Sequence, residues 1–165
     1  MADTATSPAP LAPDYAITQA VAETIAAIET APDAPIFAAV FVGGIGTDWQ
    51  AAPAYPYAVV APSAQDRERG NTTRAIRIRI VARSADFAAK PAPMPGDETG
   101  RVFAVGALAQ LSALVEAVSD ALAEAHVGAP VESISTSYDT EPQAPVETAE
   151  ITLSLSDAQA FGDSF

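Results

Sequence analysis

Hydrophobic and polar positions follow two different periods along the chain, and these periods predict both helices and strands. Apolar side chains spaced three and four residues apart favour a helix that begins at Asp14 as N-cap and stops before Pro32 and Pro35. A second stripe favours a helix that begins near Leu108, with Gly128 as its C-cap. The stripe residues are Ile17, Val21, Ile25 and Ile28 in the first helix and Leu108, Leu111, Leu114, Val115, Val118 and Leu122 in the second.

Period-two alternation predicts strands, most clearly in the segment 73–83, TRAIRIRIVAR. Segment 147–155 alternates in the same way, with Glu150 among its polar positions. Segment 36–42, IFAAVFV, is apolar on both faces, which predicts a buried strand, with a continuation of helical structure as the alternative. Segments 57–61 and 131–138 complete the set of strands. In segment 73–83 the two predicted faces carry Ile76, Ile78 and Ile80 on one side and Arg77, Arg79 and Arg83 on the other.

The order of elements is therefore α-β-β-β-α-β-β, which predicts an α+β fold. Hairpin-type connections around residues 62–72 and 139–146 favour a mostly antiparallel sheet of four to five strands with two helices packed on one face. The opposite face then carries Arg77 and Arg79 on one strand and Glu150 on another. These charges are expected either to pair across strands or to remain available to another subunit.

The chain is predicted to form one domain between two tails. Residues 1–13 hold three prolines among small residues and are expected to form a disordered arm, whereas residues 157–165 are expected to be frayed. The domain covers residues 14–156 and includes a long loop at 84–106 with three prolines and three glycines. The first residues lack the features of a signal peptide and no apolar run is as long as a membrane span, so we expect no membrane partner.

Composition indicates a small core. Of the 165 residues, 38 are alanine and only 36 are Val, Ile, Leu or Phe, which favours additional burial against partner subunits. The chain contains no cysteine, so disulfides and cysteine-based metal sites are excluded.

Charge is unevenly distributed along the chain. The net charge is −13, yet all eight lysines and arginines lie between positions 67 and 101, so that this window carries +4 and the remainder −17. So acidic a protein is repelled by phosphate backbones, which disfavours sequence-specific binding of nucleic acid. The asymmetry favours a charged surface that meets its opposite within the fold or on a neighbouring copy. The alternative is an acidic, solubilising surface with one basic strand.

Motifs for catalysis are scarce in the sequence. The single histidine, His126, lies at the end of the second predicted helix, where a helix dipole favours a cation, and no serine lies in a G-x-S-x-G motif. The glycines at 43, 44 and 46 lack the lysine of a phosphate-binding loop and are predicted to form a turn. We therefore predict that the protein is not an enzyme and has no cofactor.

Candidate ligand and contact residues are also few. The acidic pairs Asp97-Glu98 and Asp139/Glu141 do not follow the register of a calcium loop, so no metal site is predicted. The aromatic residues Trp49, Tyr55 and Tyr57 form either a contact patch or a loop that packs onto the sheet.

The order of these segments resembles that of the tail-terminator, or tail-completion, proteins of long-tailed bacteriophages and related gene-transfer particles. The resemblance covers about residues 14–156 and depends on element order and on the strand entry Tyr55-Pro56-Tyr57. The strand 74–80, the helix LSALVEAVSDALAEA and the two closing strands are the other matching segments. None of the matching features is a reactive group. This chain differs from the family pattern in its long 84–106 loop and its very apolar IFAAVFV segment.

The resemblance implies a structural virion protein located at the neck, the head–tail junction, after assembly in the host cytoplasm. Small α+β domains of this family form a six-membered ring that caps the tail tube, stops its growth and joins it to the connector, or stopper, of the head. DNA passes through the lumen of the ring. The expected partners are therefore other copies of the chain, the tail tube protein and the head–tail connector.

The sequence leaves three functions open. A tail terminator is the first, and a head-closure, adaptor or minor tail protein of the same neck region is the second. A small cytoplasmic ligand-binding domain or enzyme, with a pocket beneath the glycines at 43–46, is the alternative of another class. For the first, the residues predicted to contact another subunit or the tail are Arg77, Arg79, Arg83 and Glu150.

Overall fold

A computed structural model describes residues 12–44, 54–83, 92–104, 106–139 and 146–158 of the chain. Two helices, α1 (Pro13–Ala26) and α2 (Leu108–Ala123), accompany a five-stranded sheet in which the strands follow the order β3-β4-β5-β9-β8. Strand β3 is parallel to β4, and every other neighbouring pair in this sheet is antiparallel. The predicted α+β class is confirmed. The strands are β1 (Glu29–Ala31), β2 (Ala34–Pro35), β3 (Ala39–Val42), β4 (Tyr57–Glu68), β5 (Asn71–Arg83), β6 (Ala92–Pro93), β7 (Phe103–Ala104), β8 (Val131–Tyr138) and β9 (Val146–Ala158).

Both helices pack against the same face of the five-stranded sheet, as the apolar stripes predict. Their buried side chains meet alternate residues of β4, β5 and β9, because successive side chains of a strand point to opposite faces. Burial of each of the larger side chains contributes roughly 1.5–3 kcal/mol. The largest fully buried side chains include Val21 and Ile25 of α1, Leu111, Val118 and Leu122 of α2, Ile76, Ile78 and Ile80 of β5, and Ile151, Leu153 and Leu155 of β9.

The helix ends differ from the predicted ones. Helix α1 begins two residues earlier than predicted, with Ala12 as N-cap and Pro13 as its first residue, so Asp14 lies inside the helix rather than capping it. Helix α2 ends at Ala123, and Gly128 lies in the loop that follows, with a positive φ of 99°. The predicted caps were wrong: Ala12 is the N-cap of α1, without a side-chain capping hydrogen bond, and Glu124 is the C-cap of α2.

Segment 36–42 was predicted to be a buried strand; its strand character is confirmed for Ala39–Val42, but its extent and its burial were wrong. Only Ala39–Val42 form a strand, and this strand lies at the edge of the sheet, where Val42 is exposed. Phe37 is the fully buried part of the segment, although it precedes the strand. The segment is therefore apolar on both faces for two reasons: Phe37 is buried in the core, and the edge strand β3 is partly buried.

The hairpin of β4 and β5 is longer than predicted, because the polar segment 65–71 continues the strands up to a two-residue turn. The turn consists of Arg69 and Gly70, both with positive φ, and the strands on either side pair from Glu68 with Asn71 onward. Antiparallel pairing across both predicted connections, around 62–72 and 139–146, is confirmed.

The predicted loop at 84–106 contains a small hairpin of β6 and β7 rather than irregular chain throughout. Inside it, the carboxylate of Asp97 accepts hydrogen bonds from the hydroxyl and N–H of Thr99 and from the N–H groups of Arg101 and Val102, at 2.7–3.0 Å. Residues 84–91 and 105 lie outside the described residues. So do 1–11 of the predicted arm and 159–165 of the predicted tail, whereas strand β9 continues to Ala158.

Candidate interaction surface

The face of the five-stranded sheet opposite the helices is here called the open face, because neither helix covers it in the described part of the chain. Its side chains come from alternate positions of each strand, as the predicted alternation requires. All four residues predicted from the sequence to form an interface, Arg77, Arg79, Arg83 and Glu150, belong to it. Most of their neighbours on β9 and β8 are serines and threonines: Thr148, Thr152, Ser154, Ser135 and Ser137.

Arg77 and Arg79 share one carboxylate on the adjacent strand. Oxygen Oε2 of Glu150 lies 3.9 Å from Nε of Arg77 and 3.6 Å from Nη2 of Arg79. The arginine side chains are 49% and 57% exposed, so water screens both pairs. The predicted cross-strand pairing therefore exists, but two guanidinium groups share one carboxylate oxygen and both remain accessible.

Arg83 lies apart from these pairs, at an aromatic end of the open face. Its guanidinium carbon lies 5.9 Å from the centre of the Tyr55 ring, within the range of a cation–π contact. Tyr57 contacts both Tyr55 and Phe41, with ring centres 5.4 and 5.8 Å apart. Partial burial raises the pKa of Tyr57 above its ordinary value; Tyr55 adds to the rise and Arg79 opposes it.

The aromatic residues named in the sequence analysis therefore pack onto the sheet, as one of the two alternatives predicted. Tyr55 and Tyr57 are only partly exposed; the ring of Tyr57 meets that of Phe41 on the edge strand edge to face and that of Tyr55 at a tilt of 46°. Trp49, the third aromatic residue of that prediction, lies outside the described residues.

Sequence reasoning did not single out Arg74, which is the one charged residue buried in the described structure. Its Nε donates a hydrogen bond of 2.7 Å to Oδ1 of Asp14 at the start of α1, and its side chain is 7% exposed. The signal was present in the sequence, because Arg74 has the same parity as Ile76 and therefore points to the helix face. It ties α1 to the sheet instead of forming part of the open face.

The remaining candidate groups do not assemble a reactive centre where the structure describes them. His126 is exposed in the loop after α2, three residues beyond the helix end. Gly43 has a positive φ of 88° and its N–H donates to the carbonyl oxygen of Val60, which fits the predicted turn; Gly46 lies outside the described residues. Asp139 borders a shallow depression beside Arg79 and Glu150, whereas Glu141 lies outside the described residues.

Within the ranges that the structure describes, no three His, Asp or Glu side chains come close enough to hold a metal ion. Over the same ranges, neither helix combines the length and apolar character that crossing a membrane requires. No protein-family model matches the sequence, and comparison with curated proteins gives no match. The arginine-bearing open face is the feature of the described chain that most favours a function in protein contact.

Proposed function

We propose that the protein is a structural virion component, a tail terminator that closes into a ring, caps the tail tube and joins it to the head connector. The observation that carries this proposal is the open face, a sheet surface with exposed arginines in a chain whose net charge is −13. Such a surface suits an acidic protein partner. The order of the elements, which resembles that of tail terminators, supports the same assignment.

A ring requires two different surfaces on each subunit, because a rotation that closes a ring joins unlike faces of neighbouring copies. The fold has two such surfaces, the open face of the sheet and the outer side of the two helices. They lie on opposite sides of the sheet, so a neighbour can occupy each of them at the same time. The upper and lower rims of the ring then remain for the connector and the tube.

The charge of the remaining chain suits a collar through which DNA passes. Outside positions 67–101 the chain contains 17 acidic residues and no lysine or arginine, so these positions together carry a net charge of −17. Carboxylates repel the phosphate backbone, so that DNA moves past them without adhering. The protein therefore acts by shape and charge, with its arginines turned to protein neighbours.

The proposal is tested by removing the gene from a genome that produces the particles. Loss of a terminator leaves tail tubes that are overlong and heads that are not joined to tails, as seen by negative-stain electron microscopy. Tubes of normal length on tails that lack only heads would instead favour a head-closure or adaptor protein. A cryo-EM reconstruction of the neck distinguishes the two, because the terminator lies on the tail side of the connector.

A small-molecule function is tested separately by thermal-shift measurements on the purified full chain. Nucleotides and common metabolites are the probes, and we expect none of them to raise the melting temperature. A specific stabiliser that binds near Gly43 and Gly44 would favour the ligand-binding alternative and contradict the structural one.

A further inference from the structure

We propose that the open face of one copy binds the outer side of helix α2 of the next copy. The proposal rests on the proposed ring, because it names the two surfaces that neighbouring subunits bring together. The occupant of the arginine-bearing sheet is thus a second copy of the same chain, and four observations support this choice.

The first observation is an acidic ridge along α2. Glu116, Asp120 and Glu124 follow one another at intervals of four residues, which places them on one side of the helix, and all three are exposed. Helix α2 contains no lysine, arginine or histidine to neutralise them. The ridge therefore carries the charge opposite to that of Arg77 and Arg79.

The second observation is the spacing of the two sets of charges. Two residues along a strand, the separation of Arg77 and Arg79, cover about 6.6 Å. Four residues along a helix, the separation of Glu116 and Asp120, cover about 6 Å. A helix that lies along β5 can therefore place a carboxylate opposite each of the two guanidinium groups.

The third observation is that the arginines can exchange partners at little cost. Their pairs with Glu150 are 3.6 and 3.9 Å long and exposed to water, which makes each of them weak. A carboxylate from a neighbouring copy adds to Glu150 rather than having to displace it, because Glu150 alone serves both guanidinium groups. Exclusion of water at the contact then strengthens the new pairs.

The fourth observation is the small size of the side chains around the charges. Ala109, Ala113 and Ala123 are exposed on α2, and on the open face Arg77 lies between Ala61 and Thr152, with Ser135 beyond Thr152. Small side chains allow the helix to approach the sheet, while the long stems of the arginines fill the space between them.

The contact cannot be made within one molecule, because α2 and the open face lie on opposite sides of the sheet. It joins unlike surfaces, so it continues from copy to copy until the rotation closes. Such a contact builds a ring, as the proposed function requires, or a filament when the rotation does not close, and it differs from the like-to-like contact of a twofold dimer.

Charge exchange between two variants of the full chain tests the contact. A helix-reversed variant replaces two acids of α2 by lysine, and a sheet-reversed variant exchanges the signs on the open face while keeping its cross-strand pairs. Each variant alone brings like charges together, so we expect its self-association to weaken by about a hundredfold or more. The substitutions are Glu116→Lys with Asp120→Lys, and Arg77→Glu with Arg79→Glu and Glu150→Arg.

Sedimentation at low salt measures the association of the wild type, of each variant and of their equimolar mixture. We expect the mixture to regain the wild-type oligomer, because each altered surface then meets an opposite charge. A mixture that remains monomeric, or single variants that associate as the wild type does, would overturn the proposal. So would a wild type that stays monomeric at every concentration reached.

Cross-linking gives a second, independent reading, since the natural chain contains no cysteine. Cysteines at Thr152 on the open face and at Ala113 on α2 should give a ladder of disulfide-linked copies on non-reducing gels. The matched control keeps the cysteine at Thr152 and moves the other to Ala26, which is exposed on α1. An equal ladder from the control pair contradicts the assignment to α2.

The two proposals fail in different ways. If the charge exchange has no effect while neck imaging places the protein on the tail side of the connector, the function stands and the contact is wrong. If the exchange restores a ring that is absent from the neck, the contact stands and the proposed function is wrong.

Discussion

Neighbouring arginines of β5 have different roles because side-chain direction alternates along a strand. Arg74 points to the helix side, where it is 6% exposed and bonded to Asp14. Arg77 and Arg79 point to the open face, where both are exposed. A guanidinium that is shut off from water depends on its carboxylate far more than one that water already solvates.

Removing the carboxylate of Asp14 should therefore destabilise the fold measurably. We expect Asp14→Ala to lower the free energy of unfolding by about 1–3 kcal/mol, because it removes a charge-assisted hydrogen bond of 2.7 Å from a buried guanidinium. Urea denaturation provides the measurement. Glu150→Ala, which removes the exposed ion pairs, is the matched control and should lower the free energy of unfolding by roughly 0.2–1 kcal/mol. Equal decreases for the two variants would show that burial does not strengthen the Arg74–Asp14 pair.

Asp97 provides a prediction about pH in the β6–β7 hairpin. Hydrogen bonds from the Thr99 hydroxyl, and then from the N–H groups of Val102 and Thr99, lower the pKa of its carboxyl to about 2. Since the folded pKa lies below the unfolded one, the stabilisation is complete above the ordinary aspartate range and is lost as pH falls through about 2.

NMR titration of the Asp97 carboxyl carbon should therefore give a midpoint near 2, and the amide signal of Val102 should shift over the same range. Asp97→Asn is the control, because it removes the titration while one acceptor oxygen remains. A carboxyl that titrates at the value of a free aspartate would show that the bonds do not form in solution.

At the scale of elements, the turn between β4 and β5 offers room for stabilisation. Arg69 has a φ of 41° and Gly70 one of 86°, the backbone of a two-residue hairpin turn that strongly favours Asn-Gly. We expect Arg69→Asn to raise the free energy of unfolding by about 0.5–1 kcal/mol, since a left-handed backbone is costly for arginine. Arg67→Asn, within β4, is the control and should not raise the free energy of unfolding. Equal changes for the two variants in urea denaturation would show that the backbone of Arg69 is not strained.

The elements with a strong local period were predictable from the sequence. The alternation in 73–83 and the apolar stripes of the two helices predicted which side of each element is buried, because an element that is buried on one side has apolar residues at regular intervals in the sequence. The place of β3 was not predictable, because an apolar run such as 36–42 does not reveal whether one or both sides are covered. Helix starts were missed for a different reason: the N-caps are Ala12 and Ala107, whose side chains cannot accept a capping hydrogen bond, so no capping residue marks these ends in the sequence.

The residues of the open face were predictable where their membership depends only on the alternation of side chains along a strand. Arg77, Arg79, Arg83 and Glu150 share one face because the strand period places them there. Arg83 lies four residues beyond Arg79 on the same strand, but its contact with the Tyr55 ring was not predictable, because it depends on how a segment distant in sequence folds. The ion pair of Arg74 likewise joins residues sixty positions apart, which no local pattern reports.

At the scale of the whole molecule, the fold separates charge rather than mixing it. The sheet carries exposed arginines on the side away from the helices, and the charged residues on the outer side of α2 are all acidic. One molecule therefore has opposite charges on opposite sides, an arrangement that favours head-to-tail association of like copies. Salt should weaken such association, because exposed charges are screened.

The sheet-reversed variant tests whether this polarity matters in the assembled particle. It adds two negative charges to the chain, and so does the control Arg67→Glu, whose site lies near the tip of the β4–β5 hairpin. Both variants should fold, because Arg67, Arg77 and Arg79 are exposed and the half-buried Glu150 keeps a partner of opposite charge on β5. We expect joined, infectious particles to fall by about tenfold or more for the sheet-reversed variant alone, because only it opposes like charges at the contact. Plaque counts and neck imaging measure the difference, and normal particles from the sheet-reversed variant would show that the open face lies outside every contact that assembly requires.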